Sequence, residues 1–204
     1  MPAWFYDLMA QGFSLSGRRK EQTFRQMIID LAHIQAGEVV LDVGCGTGTL
    51  AIVAKKRVGE TGRVYGIDPS AQLLAGARRK AARARLPIDF QQEGIERMPF
   101  PNQSFDVILS TFMMHHLSDD LKRQGFSEIA RVLKPQGRLL VLDFKHPEEL
   151  QKRSGQPGMV QDLPVLMEEA GFSLMETGEM PFYIKMAASG HQSCDFVLVN
   201  KKPT

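Results

Sequence analysis

The segment Leu41-Asp42-Val43-Gly44-Cys45-Gly46-Thr47-Gly48 constrains the fold more than any other stretch of the chain. Before it runs the short apolar segment Val39–Val43, broken only by Asp42; after it, Leu50, Val53, Ala54 and Val58 recur at helical spacing. A continuous apolar run of that length reads as a strand buried on both faces, the habit of parallel sheets. Glycines directly after such a strand permit a sharp turn and a close approach of ligand to backbone. In an open parallel sheet that turn lies at the carboxyl end of the first strand, beside the point where strand order reverses. Such folds bind nucleotides there.

The rest of the chain continues the alternation. Val64–Ile67, Ile88–Gln91, Phe105–Ser110 and Arg138–Phe144 read as further strands. Between them, Ser70 is placed to cap a helix with Leu73, Leu74, Ala77 and Ala81 inward. Ser118 is placed to cap another carrying Leu121, Ile129, Val132 and Leu133. Asp162 precedes a third, with Leu163, Leu166, Met167 and Ala170 inward and Gly171 as its stop. Phe172–Thr177 and Cys194–Val199 follow as two strands with no clear helix between them, Pro181–Ala188 being ambiguous, which suggests an antiparallel edge. The expected fold is α/β: a Rossmann-like, seven-stranded, mainly parallel sheet with helices on both faces.

Residues 1–38 stand outside this alternation and read as a helical cap on a single domain spanning 39–204. Phe24, Met27, Ile28 and Leu31 recur at i, i+3, i+4 and i+7, the spacing of an amphipathic helix. Ahead of it, Trp4, Phe5, Tyr6, Leu8, Met9 and Phe13 form an aromatic segment suited to a lid over an active site or to contact with a membrane surface, the lid being favoured because no basic face lies beside it. The stretch from His146 to Gln161 reads as a loop or flap.

Composition narrows the setting. With 204 residues, 43% hydrophobic and 24% charged, the chain buries a core without disulfides or structural metal. Two cysteines, Cys45 and Cys194, cannot make a disulfide scaffold or a four-cysteine zinc site, and no metal site is expected. No apolar run has the length of a membrane span, and no basic segment precedes the apolar N-terminus as in a secretory signal. A cytoplasmic protein is the expectation. A net charge of +2 implies no polyanionic partner. Arg78, Arg79, Lys80, Arg83 and Arg85 read as the solvated face of a helix rather than a nucleic-acid patch.

The glycine turn is neither of the two phosphate-binding patterns. Thr49 stands where a dinucleotide fingerprint has its third glycine, and no lysine follows Gly48 as in a phosphate-binding loop. Instead, Asp42 sits two residues before the first glycine, where a carboxylate repels pyrophosphate but suits an ammonium group. Asp68 closes the second strand, where a carboxylate accepts hydrogen bonds from ribose hydroxyls. A cationic, phosphate-free nucleoside suits both acids, and S-adenosylmethionine (SAM) is such a ligand.

Four segments in order resemble the class I SAM-dependent methyltransferases, in the broad group (methyltransferase type 11) that includes the ubiquinone/menaquinone-biosynthesis enzymes. They are VLDVGCGTGTLA at 40–51 with the acid Asp68, MPFPNQSFDVILS at 98–110, MMHHL at 113–117, and RVLKPQGRLLVLDF at 131–144. YDLM at 6–9, with Arg18 and Arg19 further on, more faintly resembles the quinone-methylating branch. The resemblance implies that the backbone of Gly44, Cys45 and Gly46 lines the methionine part of SAM, with Asp42 on its ammonium and Asp68 on the ribose. It places Leu73 beside the adenine and Ser110 near the cofactor at the end of the fourth strand. It also marks a departure: where the family has Asp-Ala before the proline–phenylalanine motif, this chain has Gly94-Ile95. The adenine then meets the Ile95 backbone, with Glu93 one residue away as a substitute acid.

Methyl transfer from a sulfonium chiefly requires a nucleophile held against the methyl carbon. A phenol, enol or ring-carbon acceptor also needs a group to take its proton. His115 and His116 are the candidates, with Asp143 and His146 behind them. The bland alternative for the histidines is a buried, hydrogen-bonded ring. Met113 and Met114 suit an adaptable apolar pocket, though such residues more often belong to the core. The expected activity is therefore methylation of a small or lipid-like acceptor, with S-adenosylhomocysteine (SAH) as product. Its alternatives are a quinone-ring C-methyltransferase and a SAM-binding sensor or partner subunit without catalysis. Base methylation of nucleic acid is disfavoured, because the fourth strand ends in Ser110-Thr111-Phe112 and not in an Asn-Pro-Pro-aromatic motif.

Overall fold

A computed structural model describes residues 15–144, 163–180 and 194–202, with side chains from residue 22 onward. The aromatic lid segment, His146 and its loop, Asp162 and Pro181–Ala188 lie outside the described residues. The elements run α1 (Leu15–Leu31), β1 (Val39–Val43), α2 (Thr49–Val58), β2 (Arg63–Ile67), α3 (Ala71–Ala84) and β3 (Asp89–Gln91). They continue with β4 (Phe105–Thr111), a 3-10 turn (Met114–His116), α4 (Asp119–Val132), β5 (Leu133–Phe144), α5 (Leu163–Glu169), β6 (Phe172–Met180) and β7 (Cys194–Lys201).

Seven strands form one sheet in the order β3-β2-β1-β4-β5-β7-β6. β1 to β5 pair in parallel, and β7 inserts antiparallel between β5 and β6. The chain leaves β1 toward β2 on one side and later enters β4 on the other. A crevice therefore opens at the carboxyl ends of β1 and β4, outside the sheet's switch point.

Alternation along the strands divides the core into two layers. Val40, Leu109, Leu140 and Leu142 face α1, α2 and α3, where Phe24, Ile28, Leu50, Ala54, Leu74 and Ala77 meet them. Leu41, Val43, Ile108, Leu139 and Val141 face the other way, against Phe126, Ile129, Leu166 and Met167 of α4 and α5. Ser70 and Ser118 cap α3 and α4 as their sequence positions require, each side chain accepting from the backbone three residues on. Such caps are worth about 1 kcal/mol each.

Two expectations need correction. In α1, Met27 is 38% exposed, while Ile29 is fully buried beside Ile28 and Ala32. The inward stripe is rotated by about one residue, because the end of the helix packs its Ile29 and Ala32 side into the sheet. β5 begins at Leu133, five residues before the expected start, since Leu133 pairs with Phe105 ahead of a register shift. Arg138 on that strand ties α1 down, donating to the Ala32 and His33 carbonyls and to both Glu38 carboxylate oxygens. The basic face of α3 is solvated as expected, with Arg78, Arg79 and Arg83 exposed, while Arg78 also donates to the Phe90 carbonyl and Lys80 reaches Thr47 and Thr49. No described helix is long and apolar enough to cross a membrane.

Candidate active site

A cleft of about 440 Å³ occupies the crevice at the switch point. Its wall is built at three strand ends: Asp42 and the glycine turn to Leu50 at the end of β1, Asp68, Ser70 and Leu73 after β2, and Thr111, Phe112, Met113, His116 and Leu117 at the end of β4. Arg25 enters from α1.

The glycine turn is held from below. The Ile67 carbonyl accepts the Gly44 and Cys45 N–H groups at 2.9 and 3.0 Å, fixing the turn against the end of β2. Asp68 completes the clamp, its Oδ2 accepting from Gly46 at 2.9 Å and its Oδ1 from Ser70 at 2.8 Å. From outside, the Lys80 ammonium bridges the Thr47 and Thr49 hydroxyls at 2.8 and 3.1 Å. Gly46 has φ +54°, and among the described residues a Cβ there would meet none beyond its chain neighbours within 4 Å. It would stand in the cleft. Gly44, at φ +70°, lies instead against Met113, whose Cγ is 2.8 Å from where a Cβ would be.

Asp42 is 1% exposed on β1, and its Oδ2 has no hydrogen-bond partner. Burial raises its pKa to about 7; the Arg25 charge opposes that rise, the Asp68 charge adds to it, and the Ala51 N–H opposes it. An orphaned carboxylate oxygen on a ligand-sized cleft suits a cationic partner, because buried acceptors are costly to leave unmet. Cys45 is a buried thiol, which burial and then the two nearby acids keep firmly protonated, so it packs and does not attack.

The two histidines separate in role. The His115 Nδ1 lies 2.7 Å from Asp143 Oδ1, and its backbone N–H donates to Oδ2 at 3.0 Å. His116 lines the cleft, its ring packed on that of His115 with centroids 3.9 Å apart. Burial first, and then the neighbouring His115, lower the His116 pKa, favouring the neutral imidazole. Beside them runs an aromatic series, in which Phe144 packs on His115 and Phe112, and Phe112 stacks on Phe24. Phe112 adopts φ +55°, a left-handed conformation that costs a bulky residue on the order of 1–3 kcal/mol and clusters at functional sites.

Of the site residues expected from sequence, the cleft unites Asp42, Gly44, Cys45, Gly46, Asp68, Leu73 and His116. It does not include Gly94, Ile95, Ser110 or His115 in its wall. Ile95 points into the opposite core layer against Gly125. Ser110 is fully buried on the β4 face away from Asp42, its hydroxyl unpartnered. The space beside Gly94 is filled by the Glu96 carboxylate, 2.4 Å from where a Cβ would stand. The methionine pair divides, Met113 to the cleft and Met114 to the core. Sequence reasoning missed Arg25, Thr111 and Phe112, which reach the cleft from other elements and carry no local motif.

Residues 40–137 match a protein family described as a methyltransferase domain. The chain is 36% identical over 151 residues to a ubiquinone/menaquinone biosynthesis C-methyltransferase of Methylococcus capsulatus, covering 72% of this chain and 59% of that protein. It is 32% identical over 163 residues to a 2-phytyl-1,4-naphtoquinone methyltransferase of Trichormus variabilis, covering 78% and 69%. The chain thus spans somewhat over half the length of the first relative and about two thirds of the second. A crystal structure of a SAM-dependent methyltransferase from Aquifex aeolicus superposes with a TM-score of 0.70 at 25% identity, covering 86% of this chain and 88% of that one.

Proposed function

The chain belongs to the class I SAM-dependent methyltransferase family, and from that premise we propose that it methylates a small or lipid-like acceptor bearing an acidic oxygen or ring carbon. The observation that carries this reading is the pairing, in one cleft, of the orphaned Asp42 carboxylate with His116. The residues suit SAM: Asp42 would take the cofactor's ammonium group, Asp68 its ribose, and the open face of Gly46 would leave room for its methionine part. When bound, the cofactor supplies a methyl group on a positively charged sulfur, already activated for displacement.

The protein's own task is then to orient the acceptor and receive its proton. His116, neutral near pH 7, takes that proton as the acceptor becomes nucleophilic. His115, fixed by Asp143, backs the His116 ring. Phe112, Met113 and Leu117 give the acceptor an apolar wall and thin the water around it. The acceptor in this reading is not a nucleic acid, and the setting is a reducing cytoplasm, which agrees with Cys45 and Cys194 being buried free thiols.

A quinone-ring C-methyltransferase is a compatible, narrower reading, supported by the names of the two relatives and by the Phe112 ring on the cleft wall. Formation of SAH from SAM across a panel of quinols and phenols tests both. Turnover on a quinol supports the narrower reading. SAM binding without turnover on any acceptor would favour a sensor and overturn the catalytic proposal.

A further inference from the structure

We infer that Met113 is a specificity-determining residue, selecting acceptors by the bulk they carry beside the atom that is methylated. The inference rests on the methyl-transfer reading above.

Met113 touches both halves of the site. Its carbonyl accepts the His116 N–H at 3.0 Å, so its backbone sets where the 3-10 turn Met114–His116 begins and where the His116 ring stands. Its side chain runs the other way, along the glycine turn: a Cβ at Gly44 would lie 2.8 Å from the Met113 Cγ and 3.5 Å from its Cε. Glycine leaves room for that close approach. The turn is held against Met113, because the Ile67 carbonyl accepts the Gly44 N–H at 2.9 Å. From behind, Met113 packs on the core layer that contains Met114 and Phe126.

The half-buried Met113 side chain therefore stands in the cleft wall between the turn suited to the cofactor and the imidazole suited to the proton. An acceptor must span the same interval. Its nucleophilic atom has to come within about 3–3.5 Å of the methyl carbon, along the line of displacement. Its acidic proton has to reach His116 within hydrogen-bond range. Those two demands fix the acceptor's orientation and turn the flank of its reacting atom toward the Met113 thioether. A hydrogen on that flank fits against Met113, and a branched alkyl group there collides with it. An unbranched thioether suits the place, because it fills irregular space without a fixed branch.

The test assays SAH formation by the whole chain and its Met113→Ala, Met113→Val and Met113→Leu variants. The acceptors are pairs of quinols and phenols that differ only in a hydrogen or an isopropyl group beside the methylated position. The readout is the ratio of kcat/KM within each pair, which general damage to the fold does not move. The wild type should favour the hydrogen-bearing member. Met113→Ala removes Cγ, Sδ and Cε and should shift the ratio toward the isopropyl member by about 10- to 100-fold, the range for such a change in an apolar pocket. Met113→Val, shorter but still apolar, should shift it the same way by less, and it decides the question where the alanine protein does not fold. Met113→Leu conserves volume and should stay within about threefold of the wild-type ratio. An unmoved ratio in Met113→Ala and Met113→Val overturns the inference, even where turnover falls on every acceptor alike. A wild-type chain that binds SAH in calorimetry but turns over no member of the panel overturns the methyl-transfer reading itself, and this inference with it.

Discussion

Asp68 accepts the Gly46 N–H at 2.9 Å, so the acid expected to hold the ribose also holds the turn that shapes the cleft. Its second oxygen accepts from Ser70 at the start of α3. Binding and folding are joined at this carboxylate. Asp68→Ala should weaken SAM binding by ~1.5–3 kcal/mol and lower stability by ~1–3 kcal/mol, as two partly buried donors lose their acceptor. Calorimetric titration and urea unfolding read the two effects separately. Unchanged affinity would remove Asp68 from the ribose.

Gly46 offers the complementary experiment. Its φ of +54° costs a side chain ~1–2 kcal/mol, yet among the described residues none beyond its chain neighbours stands within 4 Å of an added Cβ. Gly46→Val should therefore remain folded with a modestly lowered melting temperature while losing SAM binding. A folded Gly46→Val protein that still binds SAM would make the turn purely structural. Gly44→Val should behave differently, because its Cβ meets the Met113 side chain at 2.8 Å and the damage falls on packing too.

The fold was legible because its signals are local. Strand runs, helical periodicity and the caps at Ser70 and Ser118 each depend on a few adjacent residues, and the structure keeps them. Where tertiary packing chose among near-equivalent options, sequence reasoning slipped. Met27 and Ile29 are two residues apart on one helix, and the sheet beneath decided which is covered. The glycine turn and both acids were legible for the same local reason. Arg25 and Phe112 were not, since their place in the cleft exists only once α1 docks on the end of β4. The adjacent His115 and His116 could not be told apart either: which ring meets Asp143 is fixed by the 3-10 turn that carries them.

The pH dependence of stability follows from Asp42. Burial raises its pKa to about 7, so the folded chain holds a proton there that the unfolded chain releases near pH 4. The protonated folded state is fully favoured below the unfolded value, and that contribution is lost as pH rises toward about 7. Ligand-free protein should thus lose stability between pH 4 and 7 through this group, and Asp42→Asn should flatten that part of the profile. SAM affinity should run the opposite way, rising through pH 7 as Asp42 ionises to meet the ammonium. Thermal melts and titrations from pH 5 to 8 check both signs; SAM affinity independent of pH in this range would detach Asp42 from the ammonium.

The histidine pair yields the sharpest separation of binding from chemistry. His116 lines the cleft, and the hydrogen bonds of the Asp143 clamp are made by His115, so His116→Gln should leave fold and SAM affinity near wild type. Turnover should fall by about 10²–10⁴-fold, the range for loss of a positioned general base. Asp143 is a different case, because it is 1% exposed and accepts the His115 and Phe144 N–H groups while meeting the His115 ring. Asp143→Ala should therefore destabilise the fold by roughly 3 kcal/mol or more, as several buried donors lose one acceptor. Asp143→Asn retains an acceptor for the backbone and should cost less stability, yet still slow turnover by releasing the His115 ring behind His116. The acid limb of the turnover profile should lie below pH 6.5, since burial and His115 both lower the His116 pKa and only the neutral ring can take a proton. A His116→Gln enzyme with wild-type turnover on the best acceptor would show that the proton leaves by another route.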